Sequence, residues 1–158
     1  MRNRYESVVC ATNGGRLPWS ENTAMGSPPK FKPGGDCTNR KRDGKRTRKH
    51  RYRPPKICNP GNIIDCGAAG GGNIGSDLAH ENEAPFPEAL AEFFIRSFCP
   101  PGGTVLDPFS GSGTTAAVAL RWGRRAIAID LRKSQVELTR KRIAKAEAEL
   151  PLLEGTET

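Results

Sequence analysis

A short apolar strand, Thr104-Val105-Leu106, runs straight into Asp107-Pro108-Phe109-Ser110-Gly111-Ser112-Gly113-Thr114-Thr115, and that string opens an Ala-rich helical stretch from Ala116 to Trp122. No other feature of the chain restricts its fold as strongly. A strand that ends in an acid, then a Gly-x-Gly turn, then a helix N-terminus forms a ligand cradle. The glycines let backbone approach a ligand closely, and the first helical turn offers N–H groups without intrahelical partners. A second strand, Arg125-Ala126-Ile127-Ala128-Ile129, ends at Asp130, 23 positions after Asp107. A carboxylate at the tip of the next parallel strand can accept both hydroxyls of an adenosine ribose. The expectation is an α/β unit built around this loop.

Two cofactors satisfy that frame. Gly111-x-Gly113-x-x-Ala116 matches the dinucleotide pattern, which is weak by itself. Asp107-Pro108-Phe109 instead places an acid and an aromatic before the glycines. That pairing suits the ammonium group and body of a methionine, as in S-adenosyl-L-methionine, better than a pyrophosphate. A dinucleotide fold is also expected to continue into a second βαβ half, and 28 residues follow Asp130. An NAD-binding module therefore stays open as the lesser alternative.

The upstream residues favour the first cofactor. The segment His80-Glu81-Asn82-Glu83-Ala84-Pro85-Phe86-Pro87-Glu88-Ala89-Leu90 holds Phe86 between two prolines, and Pro87 suits a helix start. The helix that follows presents Leu90, Phe93, Phe94 and Phe98 as its expected apolar face and stops at Cys99-Pro100-Pro101-Gly102-Gly103. Together, the two segments resemble DNA amino-methyltransferases, the enzymes that methylate N6 of adenine or N4 of cytosine. Their H-x-x-P-F-P-x-x-L segment lies just upstream of the same glycine loop. The resemblance implies a Rossmann-like S-adenosylmethionine-dependent methyltransferase fold. It assigns Asp107, Phe109, Gly111, Gly113 and Thr114 to the methionine end and sulfonium region, Asp130 to the ribose, and Phe86 and His80 to the pocket wall. From the residues alone, Phe86 serves equally well as core, and His80 suits a local hydrogen-bonding role better than a catalytic one.

Charge points the same way. The net charge is +8, and the stretch from Arg40 to Lys56 holds ten Lys or Arg against one acid, Asp43. The remaining 141 residues hold 15 basic and 16 acidic side chains, so this stretch accounts for the whole excess. Arg40, Lys41, Arg42, Lys45, Arg46, Arg48, Lys49, Arg51 and Arg53 are the candidate contacts to double-stranded DNA. A solvated, disordered basic loop is the plainer alternative, and both readings hold if the loop orders only on nucleic acid. The five cysteines form no CxxC pair and the two histidines lack ligand spacing, so no metal is expected. No membrane span or signal peptide is evident, and a cytoplasmic location with free thiols is the expectation.

Four zones follow. Residues 1–12 include an alternating strand from Tyr5 to Cys10 that resembles the terminal strand of the catalytic half in these enzymes. Residues 13–79 read as a long, basic, loop-rich insert of the target-recognition kind. Residues 80–150 are the cofactor-binding α/β part, whose last helix carries Val136, Thr139, Ile143, Ala146 and Leu150 as its core stripe with Arg and Lys opposite. Residues 151–158 form a tail. The (Asp/Ser/Asn)-Pro-Pro-aromatic motif that holds the flipped base in the family is not found. Ser27-Pro28-Pro29-Lys30 comes nearest, but Lys30 replaces the aromatic. No catalytic residue is assigned. The isolated chain is expected to transfer no methyl group, its catalytic half lying on another chain or having been lost. A non-catalytic basic DNA-binding remnant is the remaining alternative.

Overall fold

The computed structural model describes residues 7–66, 77–81 and 84–150. The ordered frame is a βαβα run preceded by a helix: α1 (Glu88–Phe98), β3 (Thr104–Asp107), α2 (Thr114–Arg121), β4 (Arg125–Ala128) and α3 (Lys133–Glu149). Two short strands precede it, β1 (Asp36–Cys37) and β2 (His50–Arg51), along with a 3-10 turn at Asp77–Glu81. The α/β class holds, with two small sheets.

β3 and β4 pair in parallel, Leu106 opposite Ile127 and Asp107 opposite Ala128. Alternation along each strand decides what the two faces do. Val105 and Ala126 point toward the helices and pack on a core of Ala91, Ile95, Val118 and Ala119. Leu106, Ile127 and Ile129 lie exposed, with no described layer above them. Helix α2 is the centre of the unit. Its Ala116, Ala117, Val118 and Ala119 are buried, and it packs against α1, α3 and both strands. Small side chains make this possible, because backbones can approach closely only where little volume intervenes.

That close approach changes the expected face of α1. The helix buries Ala91 and Ile95, while Phe93 and Phe94 are half-buried and Phe98 is exposed. The rings pack on one another, Phe93 edge-on to Phe94 at 5.4 Å and Phe94 stacked with Phe98 at 6.1 Å. Ala and Ile fit against the alanines of α2, whereas Phe would hold the helices apart. Pro87 caps the helix in an extended conformation, as its fixed φ favours.

The stripe on α3 also differs from expectation. Gln135, Leu138, Thr139, Arg142 and Ala146 are buried, Val136 and Ile143 only partly, and Leu150 is exposed. The helix packs partly on a loop, and a loop presents polar backbone that an aliphatic face would leave unpaired.

Two further segments show local detail that the sequence pattern does not. Residues 7–12 form no strand, and Val8 and Val9 are exposed; residues 1–6 lie outside the described residues. The basic stretch, expected as loop, is a narrow antiparallel ribbon. Gly34 and Gly35 bond across to Tyr52, β1 pairs with β2, Thr47 bonds back to Asn39, and Lys41 to Lys45 closes the tip. The expected tail at residues 151–158 lies outside the described residues.

Candidate cofactor site and basic arm

The sequence-identified loop sits at the C-terminal ends of β3 and β4, the edge where open α/β sheets bind ligands. The ladder continues past the strands: Ile129 N–H donates to the Asp107 carbonyl at 2.9 Å, and Ser110 N–H to the Ile129 carbonyl at 2.8 Å. The acids bracket the turn. Asp107 Oδ1 accepts from Phe109 N–H at 3.1 Å. Asp130 Oδ1 accepts from Arg132 N–H at 2.9 Å and Oδ2 from Gly111 N–H at 2.9 Å. Those backbone bonds, from Arg132 first and Gly111 second, hold the Asp130 carboxyl below the usual carboxylate range. A carboxylate has about four acceptor positions. Backbone bonds to both oxygens therefore let Asp130 shape the loop without barring it from accepting from a ligand as well.

Gly113 carries the turn into α2 with a left-handed φ of +80°. A Cβ there would lie 3.0 Å from both Cα and Cγ2 of Thr139, so conformation and space both call for glycine. Phe109 stands at the tip of the loop, 87% exposed. Thr114, placed by resemblance at the methionine end, is buried, its hydroxyl accepting from Arg142 at 2.8 Å. Phe86 is half-buried and packs on the α1–α2 core, leaving part of its ring uncovered. His80 belongs to the 3-10 turn, and its side chain lies outside the described residues.

Several contributors carry no site role in the sequence pattern, where Thr139 belongs to the core stripe of α3. Thr139 Oγ1 donates to the Gly111 carbonyl at 3.0 Å and lies 3.3 Å from Ser110 Oγ. Arg142, read as part of the solvent face, is buried beneath Ser112 and Thr114. Gln135 Oε1 on the same face is buried with no donor among the described residues. The available signal was the spacing 135, 139, 142: polar side chains at helical intervals, following a glycine loop that needs partners.

The candidate DNA contacts Arg40 to Arg51 lie on the ribbon, and Arg53 just beyond it. Asp43 accepts from Lys45 N–H at 3.0 Å at the tip, and Lys49 pairs with Asp36 at 3.8 Å across exposed surface. Among the described residues this is the ribbon's one ion pair, so it keeps most of its positive charge for another partner. Cys37 Sγ lies 3.0 Å from His50 Nε2 across β1 and β2, and no described cluster of three metal-ligating side chains exists. No helix among the described residues is long and apolar enough to cross a membrane.

A sequence model of the N6/N4 DNA methylases, described as DNA methylase, matches residues 3–141. The chain belongs to the DNA methylase family. Relatives within the family include the Type II methyltransferase M2.DpnII of Streptococcus pneumoniae, 49% identical over 57 residues, which are 36% of this chain and 21% of that protein. The Type II methyltransferase M.SmaI of Serratia marcescens is 42% identical over 60 residues, 38% of this chain and 20% of that one. Among solved structures, the cytosine-N4-specific PvuII DNA methyltransferase aligns over 63% of this chain and 34% of its own, at 28% identity and a TM-score of 0.42. This family member thus spans about a fifth of the length of the curated relatives it matches.

Proposed function

We propose that the chain is the S-adenosyl-L-methionine-binding part of a site-specific DNA methyltransferase that acts on an exocyclic amino group of adenine or cytosine. One observation carries the reading: in a member of the DNA methylase family, two strand-end carboxylates bracket a glycine loop that leads into a helix N-terminus. The arrangement suits the cofactor chemically. Asp107 and the exposed Phe109 are available to an ammonium group and a thioether chain, Asp130 to ribose hydroxyls, and the first turn of α2 to a carboxylate. When bound, the cofactor supplies an electrophilic methyl group.

The described strands and helices are then one flank of a Rossmann-like fold, and residues 80–150 its cofactor-binding part. The ribbon supports binding to double-stranded DNA, since two antiparallel strands fit the major groove and its cations meet phosphates. A segment with a Pro-Pro-aromatic strand, from this polypeptide or another, completes the base pocket. Such an enzyme works where the DNA is, which in a bacterium is the cytoplasm.

Calorimetric titration of the purified chain with S-adenosyl-L-methionine, with NAD as control, tests the reading. Binding of the first alone, abolished in Asp130→Ala, is expected. Binding of NAD, or of neither ligand by a folded chain, overturns it.

A further inference from the structure

One face of α3 holds the glycine loop from below, and Arg142 is the charged side chain buried within that face. Its side chain is 1% exposed. One terminal nitrogen donates to Thr114 Oγ1 at 2.8 Å and Ser112 Oγ at 3.1 Å. The other donates to Glu88 Oε1 at 2.6 Å. The second oxygen of Glu88 pairs with Arg121, which also reaches Glu149 at 3.7 Å. A charged network therefore joins α1, α2 and α3 directly under residues 112–114.

A buried guanidinium is costly unless it is paired and hydrogen-bonded, and an apolar side chain would fill similar volume without that cost. The arginine adds direction. Its planar fork holds two hydroxyls on one nitrogen and a carboxylate on the other in fixed directions, whereas an ammonium directs its three donors from one point. Thr139, three residues earlier on the same face, holds the Gly111 carbonyl and neighbours the Ser110 hydroxyl. Between them, two side chains of α3 fix Ser110, Gly111, Ser112 and Thr114, the residues around left-handed Gly113. A loop fixed beforehand loses less freedom when a ligand arrives.

We infer that Arg142 is a positioning residue that orders the glycine loop for its ligand through the hydroxyls of Ser112 and Thr114. It does so without touching the ligand. The ligand's identity rests on the cofactor reading above; the ordering of the loop does not.

The test is Arg142→Lys in the full chain, read by amide hydrogen exchange and by S-adenosyl-L-methionine titration. Lysine keeps the charge and can meet Glu88 but cannot span the fork. The Ser110, Gly111 and Gly113 amides, each hydrogen-bonded in the structure, should exchange at least tenfold faster, with Ala91 to Ile95 unchanged. Cofactor binding should weaken at least tenfold. Ser112→Ala with Thr114→Val should reproduce both effects, and adding R142K to that pair should change either by less than twofold. Unchanged loop amides, exchange raised equally throughout, or fully additive effects would each overturn the inference. If R142K does not fold, Ser112→Ala alone must still loosen the loop selectively. If the unaltered chain binds no S-adenosyl-L-methionine, the cofactor reading fails, while the exchange comparison still decides the role of Arg142.

Discussion

Replacing Gly113 by alanine should cost the chain markedly more than the same change at Gly102, and the difference measures how tightly α3 presses on the loop. Both glycines are left-handed, at φ +80° and +71°. A left-handed conformation costs a non-glycine residue about 1–2 kcal/mol. At Gly102 nothing lies within 4 Å of the added methyl, so that is the whole expected loss. At Gly113 the methyl meets Thr139 Cα and Cγ2 at 3.0 Å and Oγ1 at 3.1 Å. The first of these atoms is helix backbone and cannot rotate away, so α3 must shift. Overpacking of this kind adds about 1–3 kcal/mol. Gly113→Ala should therefore lose about 2–5 kcal/mol, a large share of the ~5–15 kcal/mol that holds a typical domain together. In calorimetric melting the two variants should differ by roughly 2–12 °C, at about 2–4 °C per kcal/mol for a chain of this size. Thr139→Ser in the Gly113→Ala background removes the Cγ2 clash and should recover part of the difference. Equal losses at the two glycines would refute the argument, because α3 would then not be seated against the loop.

Other outcomes follow from the same geometry. Asp130 has a depressed carboxyl, so its contribution to stability is present above the unfolded value near 4 and is lost as pH falls through the lower folded value. Acid unfolding of Asp130→Asn followed by circular dichroism should show a shallower loss below about pH 4 than the unaltered chain; coincident curves would contradict the backbone bonding. Replacing Arg40, Lys41 and Arg42 together by alanine should lower the slope of log affinity for duplex DNA against log salt by about 3, at ~0.9 per phosphate contact. An unchanged slope in fluorescence anisotropy would remove these three from the interface. Ile127→Lys, on the exposed sheet face, should change stability by no more than about 0.5 kcal/mol and reduce self-association in light scattering; severe destabilisation would mean that this face is covered in solution. Purified chain supplied with labelled S-adenosyl-L-methionine and DNA should incorporate no methyl label, since residues 1–158 contain no Pro-Pro-aromatic motif.

The loop and both strands were legible because their signals are local: each strand ends in an acid, and glycine supplies the conformation that the turn into α2 requires. Helix faces were less legible because the partner decides which stripe is buried. On α1 the bulky aromatics mark a plausible face, yet the alanines of α2 select Ala91 and Ile95. On α3 the aliphatic stripe was misleading, because part of what the helix covers is polar loop backbone, and Thr139 and Arg142 satisfy it. Charge periodicity alone cannot mark a buried arginine whose partners lie 28 to 54 positions away. The ribbon from Gly34 to Tyr52 escaped notice for another reason. Its pairing runs through backbone groups, with no alternation of apolar and polar side chains to announce it.

The sequence distances within the Arg142 network imply an order of events during synthesis. The glycine loop leaves the ribosome well before α3, and Glu88 leaves earlier still, 54 positions ahead of its partner. At about 5–20 residues per second, seconds separate the appearance of Glu88 from that of Arg142. In the later part of that interval β3 and its loop exist without the α3 groups that hold them. The shape of the glycine loop is thus acquired after the loop itself has been made, when α3 docks beneath it.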